Sequence, residues 1–147
     1  MRYSIVRWGA AAALAVGCLA TGGGVAHAAP AEPDGLHAPS ALVLTIGRGE
    51  TAATAAVQRA VVLHCTPVAF GSHPAPRKAC AELRAVDGEF AALPGATGEA
   101  PEVMCTKIWD PVVVTAEGVW EGSRVSYERS YPNSCVLSGA AGPVFDF

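Results

Sequence analysis

The segment Glu102 to Val112, EVMCTKIWDPV, concentrates the chemistry of the chain. It carries a sulfur at Cys105, an ammonium at Lys107, an indole at Trp109 and the pair Asp110-Pro111, in an order too irregular for a helix. A lysine two residues after a cysteine has two readings. In the plain one, Lys107 is a solvated side chain, Trp109 is a core anchor and Asp110-Pro111 turns the chain into a strand. In the sharper one, a bridge at Cys105 pins an exposed loop and presents Lys107 to a partner. A segment already fixed in its extended form loses little entropy on docking.

Other chemistry is sparse. The chain has no G-x-S-x-G elbow, no H-E-x-x-H, no phosphate-binding loop and no dinucleotide fingerprint. His64 falls on a predicted strand beside Cys65, and His73 lies in a Pro-rich loop where a solvated side chain is expected. A Ser-His-Asp set drawn from His73, Asp110 and a serine has no support in the spacing. Carboxylates occur singly, so paired acid/base work has no signal. An exported Cys105 is oxidised and a poor nucleophile. These residues point to a protein that is not an enzyme and needs no cofactor.

The N-terminus supplies the address. Arg2 and Arg7 precede an apolar run, WGAAAALAVGCLA, which leads to AHA at residues 26–28. A basic region, a short apolar stretch and an A-x-A site make an export signal, too short to span a bilayer as a mature helix. Lipid attachment at Cys18 is disfavoured because AVG precedes it without the usual leucine. The reading is a signal at 1–28, an Ala/Pro-rich tail at 29–38 and one domain at 39–147, secreted and free of the membrane. Cleavage after Ala28 leaves eight basic and thirteen acidic residues, a formal charge of −5, and four cysteines. That balance excludes a nucleic-acid partner, which demands a basic face. An even cysteine count in an exported chain implies two disulfides. Cys65, Cys80, Cys105 and Cys135 allow three pairings; the sequential one is simplest, and sequence alone does not choose. Zinc at His64, Cys65, His73 and Cys80 is disfavoured because no C-x-x-C pair exists and the compartment is oxidising.

The elements that must position this loop follow from periodicity. SALVLTIGRGE reads as a strand and turn, and AAVQRAVVLHC as a second strand, antiparallel to the first across GRGETAAT. TPVAFGSHPAP reads as a loop. RKACAELRAVDGEFAAL is the one good helix, with Ala79, Leu83, Val86, Phe90 and Leu93 at three- and four-residue spacing; Gly88 weakens it without ending it. VVVTAEGVWEGSRVSYERSY reads as two strands, the second alternating Val125, Tyr127 and Arg129 with polar residues. PNSCVLSGAAG is a turn with a single helical turn, and PVFDF a short closing strand. Four or five antiparallel strands and one main helix make an α+β sandwich.

The chain also resembles a known family. The stretches APSALVLTIGRGE, RAVVLHC, HPAPRKACAELRAVDGEFAAL and EVMCTKIWDPVVVTAEGVWEGSRVSYERSYPNSC, then the terminal VFDF, are similar in order to the subtilisin inhibitor-like proteins secreted by streptomycetes. The resemblance implies a five-stranded antiparallel sheet packed with two helices, two disulfides paired Cys65–Cys80 and Cys105–Cys135, and a homodimer formed through the sheet. It implies a serine protease inhibitor with the reactive bond Lys107–Ile108 in a binding loop of Val103, Met104, Cys105, Thr106, Lys107, Ile108, Trp109 and Asp110. Asn133 matches the asparagine that supports this loop from beneath. Lysine at the specificity position implies action on trypsin-like as well as subtilisin-like proteases. Trp109 departs from the common tyrosine. A rival on the same fold is a non-inhibitory secreted binding protein or transglutaminase substrate.

Overall fold

The computed structural model describes residues 37–96 and 104–147. The signal, most of the tail, and Val103 with the PGATGEAPE loop beyond Ala96 lie outside these residues. Alternating apolar residues build the first two long strands, β1 (Ser40–Arg48) and β2 (Ala56–Thr66). Leu42 faces Leu63 and Leu44 faces Val61 across them. A two-residue strand, β3 (Phe70–Gly71), adds to the edge of β2. It falls in a segment whose prolines predict only a loop. β4 (Val112–Trp120) pairs with β1, and β5 (Ser123–Tyr131) with β4 through a turn at Glu121-Gly122. The result is one antiparallel five-stranded sheet, as the resemblance implies, and its strand order is β3-β2-β1-β4-β5.

Two helices pack with it. Helix α1 (Pro76–Ala85) starts with proline near its first position, where the missing N–H costs nothing, and buries Ala79, Cys80 and Leu83. It ends earlier than the periodicity predicts. Asp87 and Gly88 both take left-handed conformations, φ 51° and 74°, and the Gly88 N–H closes on the Leu83 carbonyl at 2.8 Å. This left-handed closure at Gly88 ends the helical run rather than merely weakening it, and only glycine fits there, because a side chain would meet the Trp120 ring. Phe90 and Leu93 still reach the core, carried by a short 3-10 turn, Phe90–Ala92.

Helix α2 (Ser134–Ala140) is longer than the single turn expected. The Asn133 side-chain oxygen accepts from the Val136 N–H at 3.0 Å and caps it. The terminal PVFDF is not a strand. Val144 gives its N–H to Glu82 Oε2 (2.8 Å) and its carbonyl accepts from His73 Nε2 (3.3 Å), so its backbone groups are bound by side chains and no ladder forms. Val144, Phe145 and Phe147 instead close the core over α1.

The core occupies one face of the sheet. On the opposite face Val43 and Val62, neighbours across β1 and β2, are 45% and 39% exposed. The Cys65–Cys80 bridge joins β2 to α1 inside the core, with Cα atoms 5.4 Å apart. Closing this loop stabilises the fold by about 3 kcal/mol on the chain-entropy model. No helix among the described residues is long and apolar enough to cross a membrane.

Candidate functional site

The loop that enters β4 protrudes. Met104 is fully exposed, Thr106 and Lys107 are exposed, and Ile108 and Trp109 are 66% and 62% exposed. Two large apolar side chains in sequence, both facing solvent, are not a core contribution, so the plain reading of Trp109 as a core anchor fails.

Three sets of contacts hold the loop. The first is the Cys105–Cys135 bridge, Cα–Cα 5.7 Å, which ties it to the first turn of α2. The second is Asn133, the residue that caps the same helix. Its Nδ2 donates to the Thr106 carbonyl at 3.1 Å and to the Ile108 carbonyl at 3.0 Å. These two acceptors flank Lys107, so the Lys107–Ile108 bond is held on both sides by one nearly buried amide. The third set comes from the last residue of β1 and the turn after it. Arg48 donates from Nε and Nη2 to the two carboxylate oxygens of Asp110 at 2.8 and 2.7 Å. The Gly49 N–H bonds the Pro111 carbonyl at 2.8 Å, and Trp109 Nε1 donates to Glu50 Oε1 at 3.2 Å. A further backbone bond, Asp110 N–H to Pro132 carbonyl at 2.9 Å, joins the loop to the end of β5.

Sequence reasoning singles out Val103 to Asp110, Asn133 and the four cysteines; Val103 lies outside the described residues, the fold brings the loop together with Asn133 and Cys135, and Cys65 and Cys80 lie in the core. Arg48 and Glu50 escape it. GRGE reads as an ordinary turn, and nothing local signals that its charges reach a segment some sixty positions away.

The Ser-His-Asp set does not form. Asp110 is engaged by Arg48, whereas His73 is buried and bonded elsewhere. His73 is thus not the solvated loop residue expected. Its Nδ1 accepts from the Ala75 N–H at 3.0 Å, so Nε2 carries the proton given to Val144. Burial lowers its pKa, opposed by the Val144 bond and the charge of Asp146. Burial raises the pKa of Glu82, against the bond from Val144. These groups secure the C-terminal segment.

What such a site can do is resist opening. An exposed bond with a cross-link two residues to its N-terminal side and side-chain hydrogen bonds on both flanks can enter a narrow cleft without changing shape. Comparison with known proteins identifies the family. The family model described as subtilisin inhibitor-like matches residues 38–133. Subtilisin inhibitor-like protein 5 of Streptomyces fradiae is 63% identical over 111 residues, 76% of this chain and 100% of the relative. Kexstatin-1 of Streptomyces platensis is 51% identical over the full length of both. Among solved structures, that of Streptomyces caespitosus sermetstatin in complex with Bacillus licheniformis subtilisin matches with a TM-score of 0.65 and 42% identity, over 74% of this chain and 99% of that one.

Proposed function

The chain belongs to the subtilisin inhibitor-like family, a family of protease inhibitors and not of enzymes, and on that premise we propose that it blocks serine proteases in substrate fashion through the bond Lys107–Ile108. The observation that carries this reading is the bridging of the Thr106 and Ile108 carbonyls by Asn133 beside the Cys105–Cys135 cross-link. The protease serine attacks the Lys107 carbonyl and releases the Ile108 amine. That amine cannot drift away, because Asn133 and the strand behind it hold Ile108. Religation then competes with hydrolysis, and the complex persists. Interfaces of this kind are of ordinary area yet can be among the tightest known.

The partner class follows from the side chains. The Lys107 ammonium suits a pocket with an acidic floor, as in trypsin-like enzymes. A broad apolar pocket accepts the lysine stem while the charge reaches water. The sermetstatin complex with subtilisin supports a subtilisin-like partner. Titrating trypsin and subtilisin with the protein, then sequencing the products, tests the reading. Tight inhibition with a slowly appearing new N-terminus at Ile108 is expected; first cleavage at another bond sinks it.

Residues 1–28 are an export signal and the secreted form starts at Ala29, which intact-mass analysis checks. The protein is a homodimer through the open sheet face, a reading supported by the exposed pair Val43 and Val62. Val43→Glu should then give a monomer by light scattering.

A further inference from the structure

The end of β1 and the two residues after it each bind one residue of the loop. Arg48 binds Asp110, Gly49 binds Pro111 and Glu50 binds Trp109. The labour is divided. The end of α2 holds Cys105, Thr106 and Ile108, whereas this segment holds the residues that follow Ile108. We propose that Arg48 and Glu50 are positioning residues for the leaving-group half of the loop, keeping a newly released Ile108 amine in register with the Lys107 acyl carbon. The inference rests on the reactive-bond reading above.

The physical case starts from what cleavage frees. Once the Lys107–Ile108 bond is open, Ile108 and Trp109 form the new end of the chain. Asn133 restrains this end at the Ile108 carbonyl alone, so its orientation about that bond also depends on what fixes Asp110 and the Trp109 ring. The Asp110 N–H bond to Pro132 fixes a position but not an orientation. The two parallel Arg48–Asp110 bonds fix the carboxylate plane, as a planar guanidinium does and a lysine ammonium does not. The Trp109–Glu50 bond then limits rotation of the indole. The ion pair is well exposed, 60% and 48%, and exposed pairs contribute little to global stability. Its effect falls on the cleaved loop, where religation and hydrolysis compete and a small restraint shifts the partition.

The test follows the intact and cleaved forms by mass spectrometry during incubation with catalytic subtilisin, for the parent, Arg48→Ala, Arg48→Lys, Arg48→Glu and Glu50→Gln. Arg48→Ala should lose inhibition roughly fivefold faster than the parent, a factor in keeping with the upper range for an exposed pair. Its association rate and thermal midpoint should stay at parental values, which a merely structural role would not predict. Arg48→Lys should recover part of the lifetime, and Arg48→Glu, which sets two carboxylates face to face, should be worse than alanine. Glu50→Gln, which leaves the indole only a weaker, uncharged acceptor, should shorten the lifetime, though less than Arg48→Ala does. Added salt, which screens exposed pairs, should shorten the lifetime of the parent more than that of Arg48→Ala. Equal lifetimes for parent, Arg48→Ala and Arg48→Glu overturn the proposal while leaving the reactive bond intact. A parent that is cut first at another bond overturns both.

Discussion

Asn133 and Ile108 are joined by a 3.0 Å hydrogen bond from the side-chain amide of one to the backbone carbonyl of the other. The same side chain caps α2 through its oxygen, so each end of one amide has a separate duty. Asn133→Ala should lower stability by about 1–2 kcal/mol, the loss of a cap and a buried contact. Inhibition should become temporary. Asn133→Asp separates the two duties, because it keeps the cap but turns acceptor oxygens toward the Thr106 and Ile108 carbonyls. Thermal unfolding near the parental midpoint with a much shorter inhibition lifetime is the expected outcome. Parental resistance to cleavage in Asn133→Asp would argue against the support role.

Lys107→Leu should separate the two protease classes. It leaves a trypsin-like pocket acid buried and unpaired, so trypsin inhibition should weaken by about a hundredfold or more. Subtilisin inhibition should persist, and stability should change by less than about 0.5 kcal/mol because the side chain is exposed. Lys107→Arg should retain trypsin inhibition. Inhibition constants against both enzymes decide the matter.

The two bridges should behave differently under mild reductant. Cys65 and Cys80 are buried, whereas Cys105 and Cys135 are partly exposed. Alkylation mapping should find the Cys105–Cys135 pair opened first. The singly reduced protein should remain folded yet be digested as an ordinary substrate, since the cleaved ends can separate. Replacing Cys65 and Cys80 with alanine should instead cost about 3 kcal/mol of stability while the loop stays clamped.

Stability should fall on mild acidification because of His73. Burial lowers its folded pKa below the unfolded value of about 6.5, so the unfolded chain binds the proton first. The stabilisation is full above about pH 6.5 and is lost as pH falls through the lower folded pKa. Protonation also forces a proton onto Nδ1 against the Ala75 N–H. Glu82 acts in the opposite sense, since a raised carboxyl pKa favours the folded state as pH falls through it, and Asp146 opposes the His73 shift. Denaturant titrations of the parent and His73→Gln between pH 7 and 5 should show a slope in the parent that the variant lacks.

The sequence by itself determined the elements whose pattern is local. Alternation in SALVLTIGR and SRVSYERSY set two strands, and their buried faces are the ones the alternation selects. The irregular Cys105–Asp110 stretch left open whether Trp109 was a core anchor or part of an exposed loop, which the tertiary structure decided, and the resemblance of the chain supplied the candidate bond within it. Tertiary structure decided what depended on distant partners. Residue 88 must be glycine where the chain leaves α1, because Trp120 of β4 occupies the space a side chain would need. PVFDF cannot be a strand because Glu82 and His73 take the hydrogen bonds that a ladder would use. His73, polar in a Pro-rich segment, reads as solvated until the C-terminal residues cover it. Arg48 meets Asp110 only because β1 and β4 are antiparallel neighbours, which brings the end of one strand to the start of the other. Periodicity records which face of an element is wet; it does not record which other element lies against that face.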